Sequence, residues 1–385
     1  MIFSFLMIVY DENEKALILL SLFDLSLQKE REILSLFDSP KDVFKNFDLF
    51  ENDINNILIR GMKSESQEKN VGYKRHKLVS EIKEAILQDR VSDFIADLNK
   101  KNIRVVTLCS NLYPKKLLDL EFPPYTLFCI GDLSLFETDS IGIVGTRTPT
   151  PYGKIITEKF AKGLTENGFT IVSGLACGVD TVSHKTALDN NGKTIAVLGG
   201  GFEHIFPSFN INLARQISDV GLLVSEYRPD LKPALYTFPQ RNRIIAGLSL
   251  GILITEAGEK SGALHTKEYA LDLGREIFVV PGNITSPMSK GTNRLIRSAQ
   301  GACVLDYEDI VCVFREKVVK SVSTLPKQLS FEETAVVKEL ETGDKTFEEL
   351  IELTKMETKN LNPLLTMLEI KGIIRQLPGN RYMVI

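Results

Sequence analysis

Two hydrophobic rhythms divide the chain. From residue 13 to about 60, Leu, Ile and Phe recur at steps of three and four, first in "ALILLSLFDLSLQKEREILSLF" and then in "PKDVFKNFDLFENDINNILI". That spacing lines one face of a helix with apolar side chains, and Ser39-Pro40 interrupts it. Residues 61–75 are polar and predict a loop, and residues 76–99 return to the helical period. Beyond Lys101 the apolar runs become short and continuous. "IRVVTL" reads as a strand, and "LYPKKLLDLEFPPYTLFCIGD" as a proline-containing passage into the next domain. Then come "IGIVG", "FTIVSG", "TIAVLG", "GLLVSE", "GILITE", "IFVVP" and "ACVLD". Between them lie helical stretches at 152–167, 180–190, 209–218, 240–248, 262–273 and 291–299. Apolar runs without alternation are buried on both faces. Strands alternating with helices of this length predict an α/β fold with a doubly wound, mostly parallel sheet.

The pattern changes again near the end. Residues 316–328, "EKVVKSVSTLPKQ", read as a linker. After it, helices are expected to begin near Ser330, Thr346 and Thr358, and "KGIIRQLPGNRYMVI" predicts two short strands around "PGN". Three helices and a small hairpin make a winged helix. The predicted organisation is a helical domain over 1–99, an α/β domain over 100–315, the linker, and a winged helix over 329–385.

Composition narrows the function. A chain of 385 residues has room for two or three domains, and 43% hydrophobic with 25% charged residues is ordinary for a soluble globular protein. A net charge of -4 excludes a globally basic nucleic-acid binder and leaves room for a local basic patch. The five cysteines are scattered, no pair has zinc-ligand spacing, and the four histidines are isolated. This predicts reduced, mostly buried thiols, no metal and a cytoplasmic setting. The apolar start "MIFSFLMIVY" runs straight into "DENEK" without a basic leader, and is too short to span a bilayer. It reads as a packing segment, or as residues upstream of the usual start, and no membrane association is expected.

In open α/β sheets, ligands bind outside the carboxyl ends of the strands. The loops leaving six successive strands read "GTRTPTPYG", "SGLACGVDTVSH", "GGGFEHIFPSFN", "EYRPDLKPALYTFPQRNR", "EAGEKSGALHT" and "PGNITSPMSKGTN". Each supplies a usable part. Gly145 permits a sharp turn and close backbone approach, and Thr146 brings a hydroxyl and an N–H. Ser173 and Gly174 precede a helix with Asp180 as its expected N-cap, and Gly200 sits in a glycine triplet. Exposed N–H groups and helix N-termini favour anions. Arg147, Arg241 and Arg243 offer forked donors to phosphate. Phe238, Tyr236 and Phe206 offer faces for a base. Ser261, Gly262 and Thr266 make a second small, polar helix entry. Singly, each has a plain structural explanation. His184 and His265 read as packing or capping groups, and Cys177 as a small buried side chain. Together, six polar ends on one edge predict an anion or nucleotide-phosphate site.

These motifs, in this order over residues 140 to 305, resemble the DNA-processing protein A (Smf) family. Gly145-Thr146-Arg147 match its Gly-Ser/Thr-Arg motif. "FPQRNR", with Phe238, Arg241, Asn242 and Arg243, matches its Phe-Pro-x-Arg-Asn-Arg segment. Ser173, Gly174 and Asp180 match its "SGLAxGID", and Ser261, Gly262 and Thr266 its "SGxLxT". The resemblance implies a Rossmann-like domain flanked by a SAM-like helical domain and a winged helix. It implies a protein that binds single-stranded DNA without marked sequence preference. Such proteins protect incoming strands during natural transformation and help load RecA recombinase while displacing single-strand-binding protein. They usually act as homodimers, with no cofactor and no established catalytic cycle.

Two departures stand out. "NRLIRSAQGA" is longer than the common pattern, near the family's dimer surface. The last unit carries seven Lys or Arg against ten Asp or Glu, and Pro363 is expected near the start of its recognition helix. That charge fits a protein partner better than duplex DNA. Two other functions compete. A nucleotide or nucleotide-sugar enzyme of the phosphoribohydrolase kind would need Pro-Gly-Gly-x-Gly-Thr-x-x-Glu. Here "EAGEKSGALHTKEYA" has Tyr269 at the glutamate position, with Glu256 and Glu268 nearby. A dinucleotide oxidoreductase would need three spaced glycines after the first strand, and one is present.

Overall fold

The structure, a computed structural model, describes residues 9–23, 25–59, 68–315, 331–340, 343–370, 373–377 and 381–384. The N-terminal apolar segment before residue 9, the linker at 316–328 and the "PGN" turn lie outside the described residues.

Asp11 starts the first helix, α1 (Glu12–Ser21), with a reciprocal cap: its carboxylate accepts from Glu14 N at 2.9 Å, and its own N–H donates to Glu14 Oε2 at 3.0 Å. Five consecutive residues of α1, Ala16 to Leu20, are buried, so this helix is enclosed by its neighbours on all sides. Helices α2 (Leu27–Leu34), α3 (Asp42–Asn46), α4 (Glu51–Ile59), α5 (Glu68–Leu87) and α6 (Arg90–Lys100) follow it, and α5 and α6 pack against α1. Helix α5 begins at Glu68, inside the stretch expected to be a loop. Ile18, Ile33, Ile54 and Ile82 share one apolar core with Val105 and Phe128 of the sheet, and Val105 N donates to the Tyr10 hydroxyl at 3.0 Å. The boundary expected near residue 100 therefore falls inside continuous packing. The described residues up to Phe314 form one compact unit, and those from Arg315 on form a second.

The main sheet has nine strands: β1 (Arg104–Thr107), β2 (Thr126–Gly131), β3 (Ser140–Val144), β4 (Thr170–Ser173), β5 (Thr194–Val197), β6 (Leu222–Ser225), β7 (Gly251–Ile254), β8 (Glu276–Val279) and β9 (Ala302–Cys303). Their order is β1-β2-β6-β5-β4-β3-β7-β8-β9. All seven expected α/β strands are present as β3 to β9. Strand β2 lies within the proline-containing passage and pairs antiparallel with both β1 and β6. From β6 to β9 every pairing is parallel, with Gly142 opposite Ile252 and Val172 opposite Ile195. The carboxyl ends of β3 to β8 thus share one edge. Between β3 and β7 the strand order reverses direction, the place where such sheets open a crevice.

The crossover helices α7 (Pro151–Glu166), α8 (Val179–Asp189), α9 (Ile211–Val220), α10 (Thr237–Leu248), α11 (Ala263–Asp272) and α12 (Lys290–Arg297) match the expected stretches within a few residues, and α13 (Tyr307–Phe314) comes after them. Pro151 opens α7 behind Thr150, whose hydroxyl accepts from Gly153 N at 3.1 Å.

The second unit contains α14 (Phe331–Leu340), α15 (Phe347–Thr354) and α16 (Thr358–Ile370), with an antiparallel sheet of β10 (Lys345–Thr346), β11 (Ile374–Leu377) and β12 (Arg381–Val384) in the order β10-β12-β11. Val336, Leu350, Leu361, Leu365 and Tyr382 form its core. This is a winged helix. Pro363 lies inside α16 rather than at its start, at an exposed position. The thiols differ from expectation: only Cys129 is buried, Cys177 is intermediate, and Cys109, Cys303 and Cys312 are exposed. Among the described residues no helix is long and apolar enough to cross a membrane, and no cluster of His, Cys, Asp or Glu is placed to hold a metal.

Candidate nucleic-acid interface

A cleft of about 1100 Å³ opens at the reversal point between β3 and β7. Its floor is the turn Val144 to Thr148. One wall is the start of α10, with Phe238, Arg241 and Asn242. The other is the passage Gly258 to Ala263 with His265 and Thr266 of α11. Phe206, Pro233, Leu235, Met288 and Lys290 complete the rim.

The glycine after β3 is required by contact. A β-carbon at Gly145 would stand 2.6 Å from Val179 Cγ2 and 2.9 Å from Glu256 O. Thr146 is pinned: its N–H donates to Glu256 O at 2.7 Å, and its carbonyl accepts from Val179 N at 3.2 Å. The N–H expected to meet a phosphate is therefore spent on the residue chain leaving β7, and the Thr146 hydroxyl accepts from Thr148 N at 3.2 Å. This bracing leaves Arg147 free to project. Its side chain is exposed, with the guanidinium over the Phe238 ring at 5.6 Å from the centroid. Among the described residues no carboxylate pairs with it.

Other candidates are internal. Ser173 is fully buried and donates to Ile143 O at 2.7 Å, away from the cleft. Asp180 is not an N-cap. It lies inside α8 behind Gly178, and its carboxylate accepts from Gly174 N at 3.1 Å and Ala176 N at 3.3 Å, folding the loop back on the helix. Burial pushes the Asp180 carboxyl up, against the pull of Arg241 and those N–H groups. Arg241 is 4% exposed and lines the cleft wall, with Nη1 donating to Gly174 O at 2.6 Å and to Val197 O, and Nε donating to Asn242 Oδ1 at 3.1 Å. Burial, with the nearby charge of Arg147, lowers its pKa to about 10 despite Asp180, so it stays charged at neutral pH. Gly174 is the bare backbone against which that guanidinium packs.

Gly200 and Arg243 also lie outside the cleft. Gly200 packs beneath Pro233, and its carbonyl accepts from Ser225 Oγ at 2.9 Å. Arg243 is buried, ion-paired with Glu226 and donating to Phe122 O at 2.9 Å. Of the histidines, His184 is buried against Thr194 Oγ1 at 2.7 Å, and burial drives its pKa down to about 3. His265 is exposed in the cleft rather than packed. Tyr236 is exposed but is not among the lining residues.

The α11 entry supplies Ser261, Gly262 and Thr266 to the wall, and Thr266 Oγ1 is buried there without a hydrogen-bond partner among the described residues. Two cations in the same loops were not singled out in the sequence. Lys260 and Lys290 are exposed on the rim, each directly beside a short Gly- or Ser-containing helix entry that could have marked it. Against Arg147, Lys260 and Lys290 stand Asp180, tied to backbone, and Glu259, 3.6 Å from Arg294. The cleft is thus a basic concavity on an acidic chain.

The carboxylates weighed for hydrolysis are elsewhere. Glu256 is buried and accepts from Thr150 N at 2.8 Å and Thr150 Oγ1 at 2.7 Å, neutralising the start of α7. Glu268 pairs with Lys267 at 2.7 Å outside the cleft.

The family description "DNA recombination-mediator protein A" matches residues 104–315, more than half of the chain and all nine strands of the main sheet. The chain belongs to the DNA recombination-mediator protein A family. The DprA winged helix domain of the same family matches residues 323–380. Among similar proteins, the DNA processing protein DprA of Bacillus subtilis is 41% identical over 239 residues, covering 60% of this chain and 80% of its own. Protein Smf of Synechocystis is 33% identical over 335 residues, covering 75% and 82%. The solved DprA of Streptococcus pneumoniae superimposes with a TM-score of 0.62 at 32% identity, covering 80% of this chain and 99% of that one. DNA processing protein A of Helicobacter pylori, described for its single-stranded DNA binding mode, superimposes with a TM-score of 0.50 at 34% identity, covering 55% and 95%.

Proposed function

We propose that this chain binds single-stranded DNA in the cleft between β3 and β7, without marked sequence preference. In this reading it shields incoming strands during natural transformation. It also helps load RecA recombinase onto them, displacing single-strand-binding protein, as a cytoplasmic homodimer. One observation carries the DNA reading: the exposed, carboxylate-free guanidinium of Arg147, resting on Phe238 in a cleft whose rim also bears Lys260 and Lys290. A cation without an internal partner beside an aromatic ring suits a phosphate next to a base. At about 1100 Å³ the cleft exceeds the usual ~300–1,000 Å³ of small-ligand pockets and has room for more than one nucleotide. Family membership and the Helicobacter pylori relative's DNA-binding description support the same reading. The recombination and dimer roles rest on the family.

Phosphate contacts release counterions, with a slope of about −0.7 in log K against log salt per contact for single strands. Fluorescence anisotropy with a labelled oligonucleotide over a salt series tests the proposal. Single strands bind better than duplex, and Arg147→Ala weakens all sequences alike and flattens the slope by about 0.7. Equal affinity for duplex at moderate salt, or an unchanged slope in Arg147→Ala, refutes it.

A further inference from the structure

Two phenylalanines meet in the cleft, and they are not equivalent. The rings of Phe206 and Phe238 have centroids 5.8 Å apart and planes inclined by 51°. Phe238 is half-buried. The Arg147 guanidinium lies over it at 5.6 Å from the centroid. On the strand side, a β-carbon on Gly199 would come within 2.7 Å of Phe238 Cδ1, so bare backbone packs directly against that ring. Phe206, by contrast, is 56% exposed while lining the same cleft. It stands on an anchored loop. The buried Asn210 donates its amide to Leu175 O at 2.9 Å and to Thr181 Oγ1 at 2.8 Å, and Glu203 N donates to Pro229 O at 2.9 Å.

From this geometry we infer a division of labour within the single-strand reading above: Phe206 is the face on which a nucleobase stacks, and Phe238 is the pedestal that aims Arg147 at a neighbouring phosphate. A base stacking on the covered face of Phe238 would displace the guanidinium and lose the cation–π contact. Stacking on Phe206 keeps both. Phe206 and Arg147 contact the same ring, so the base and its phosphate lie within reach of one nucleotide. The anchored loop lowers the entropy lost when the base docks.

The chain contains no tryptophan, so Phe206→Trp installs a single fluorescent reporter. Oligothymidylate quenches that reporter. Phe206→Ala lowers single-strand affinity about 5- to 150-fold, the range of one base–aromatic stack, and Phe206→Tyr retains it. Because Phe206 is exposed, these variants keep the wild-type unfolding midpoint. A double-mutant cycle separates the two rings. Phe206→Ala adds its full loss on top of Arg147→Ala, whereas Phe238→Ala adds almost none once Arg147 is gone. Wild-type affinity in Phe206→Ala with no quenching in Phe206→Trp overturns the inference while leaving DNA binding intact. So does full additivity of Phe238→Ala with Arg147→Ala. A wild-type protein that binds no oligonucleotide overturns the functional reading itself, and this inference with it.

Discussion

Arg243→Ala tests whether a residue in a DNA-binding motif touches DNA at all. Arg243 is 7% exposed on α10, where its guanidinium meets the carboxylate of the buried Glu226 and donates to Phe122 O at 2.9 Å. Burial holds the Glu226 carboxyl above its usual value, and the Arg243 charge pulls it back down. Truncation to alanine leaves Glu226 buried without its partner, which costs ~3–5 kcal/mol. The Phe122 carbonyl also loses a donor, worth ~1 kcal/mol. Against a total stability of ~5–15 kcal/mol, that removes a large part of the margin. The cleft loses nothing, because Arg243 does not line it. Urea unfolding followed by circular dichroism, with anisotropy on the same preparations under folding conditions, measures both effects. The expected result is a strongly lowered midpoint with unchanged affinity and salt slope. Replacing both partners, Arg243→Met with Glu226→Leu, restores much of the stability, since an apolar pair of similar volume needs no compensation. A wild-type midpoint combined with weakened binding and a flatter salt slope would show that Arg243 reaches phosphate, and would sink the argument.

Glu30, half-buried on α2, is held up to about 8 from an ordinary value of 4.5 by burial first and the Glu226 charge second, against Arg243. The folded state keeps a proton that the unfolded chain releases, so this group's contribution to stability is full below about 4.5 and is lost as pH rises toward about 8. Glu30→Gln therefore raises the urea midpoint at pH 8 and leaves it unchanged at pH 4; an equal shift at both would contradict the assignment. At Gly178, φ is +82° and a β-carbon would lie 2.4 Å from Thr146 O. Gly178→Ala costs ~1–3 kcal/mol of strain and displaces the turn under Arg147, so unfolding midpoint and single-strand affinity fall together. Gly262→Ala is the contrast, because its β-carbon meets nothing within 4 Å, and the midpoint stays level or rises slightly.

Hydrophobic order along the chain determined most of the architecture. Strands β3 to β9 were legible because each is a continuous apolar run, and the winged helix because its helical and hairpin periods are local. Parallel pairing is then dictated by the crossover helices, and with it the meeting of six loops on one edge. Strand β2 was hidden by the prolines around it, since only pairing with β1 and β6 makes that passage a strand. The merging of the N-terminal helices with the sheet was equally invisible, because Ile18 and Phe128 are distant in sequence and touch one core only after folding.

At the cleft, residue type identified the motifs but not the destination of each side chain. Arg147, Arg241 and Arg243 look alike in the chain, yet each guanidinium is claimed by whatever acceptor the fold brings nearest. Arg241 found carbonyls of two strand ends, Arg243 found Glu226, and Arg147 found only an aromatic face and solvent. Lys260 and Lys290 stand beside helix entries that the sequence shows, but only the convergence of neighbouring loops makes them part of the rim. Hydrophobic periodicity is a local property written along the chain. Which donors remain free for a ligand depends on competition among groups far apart in sequence, and only the tertiary structure decided that.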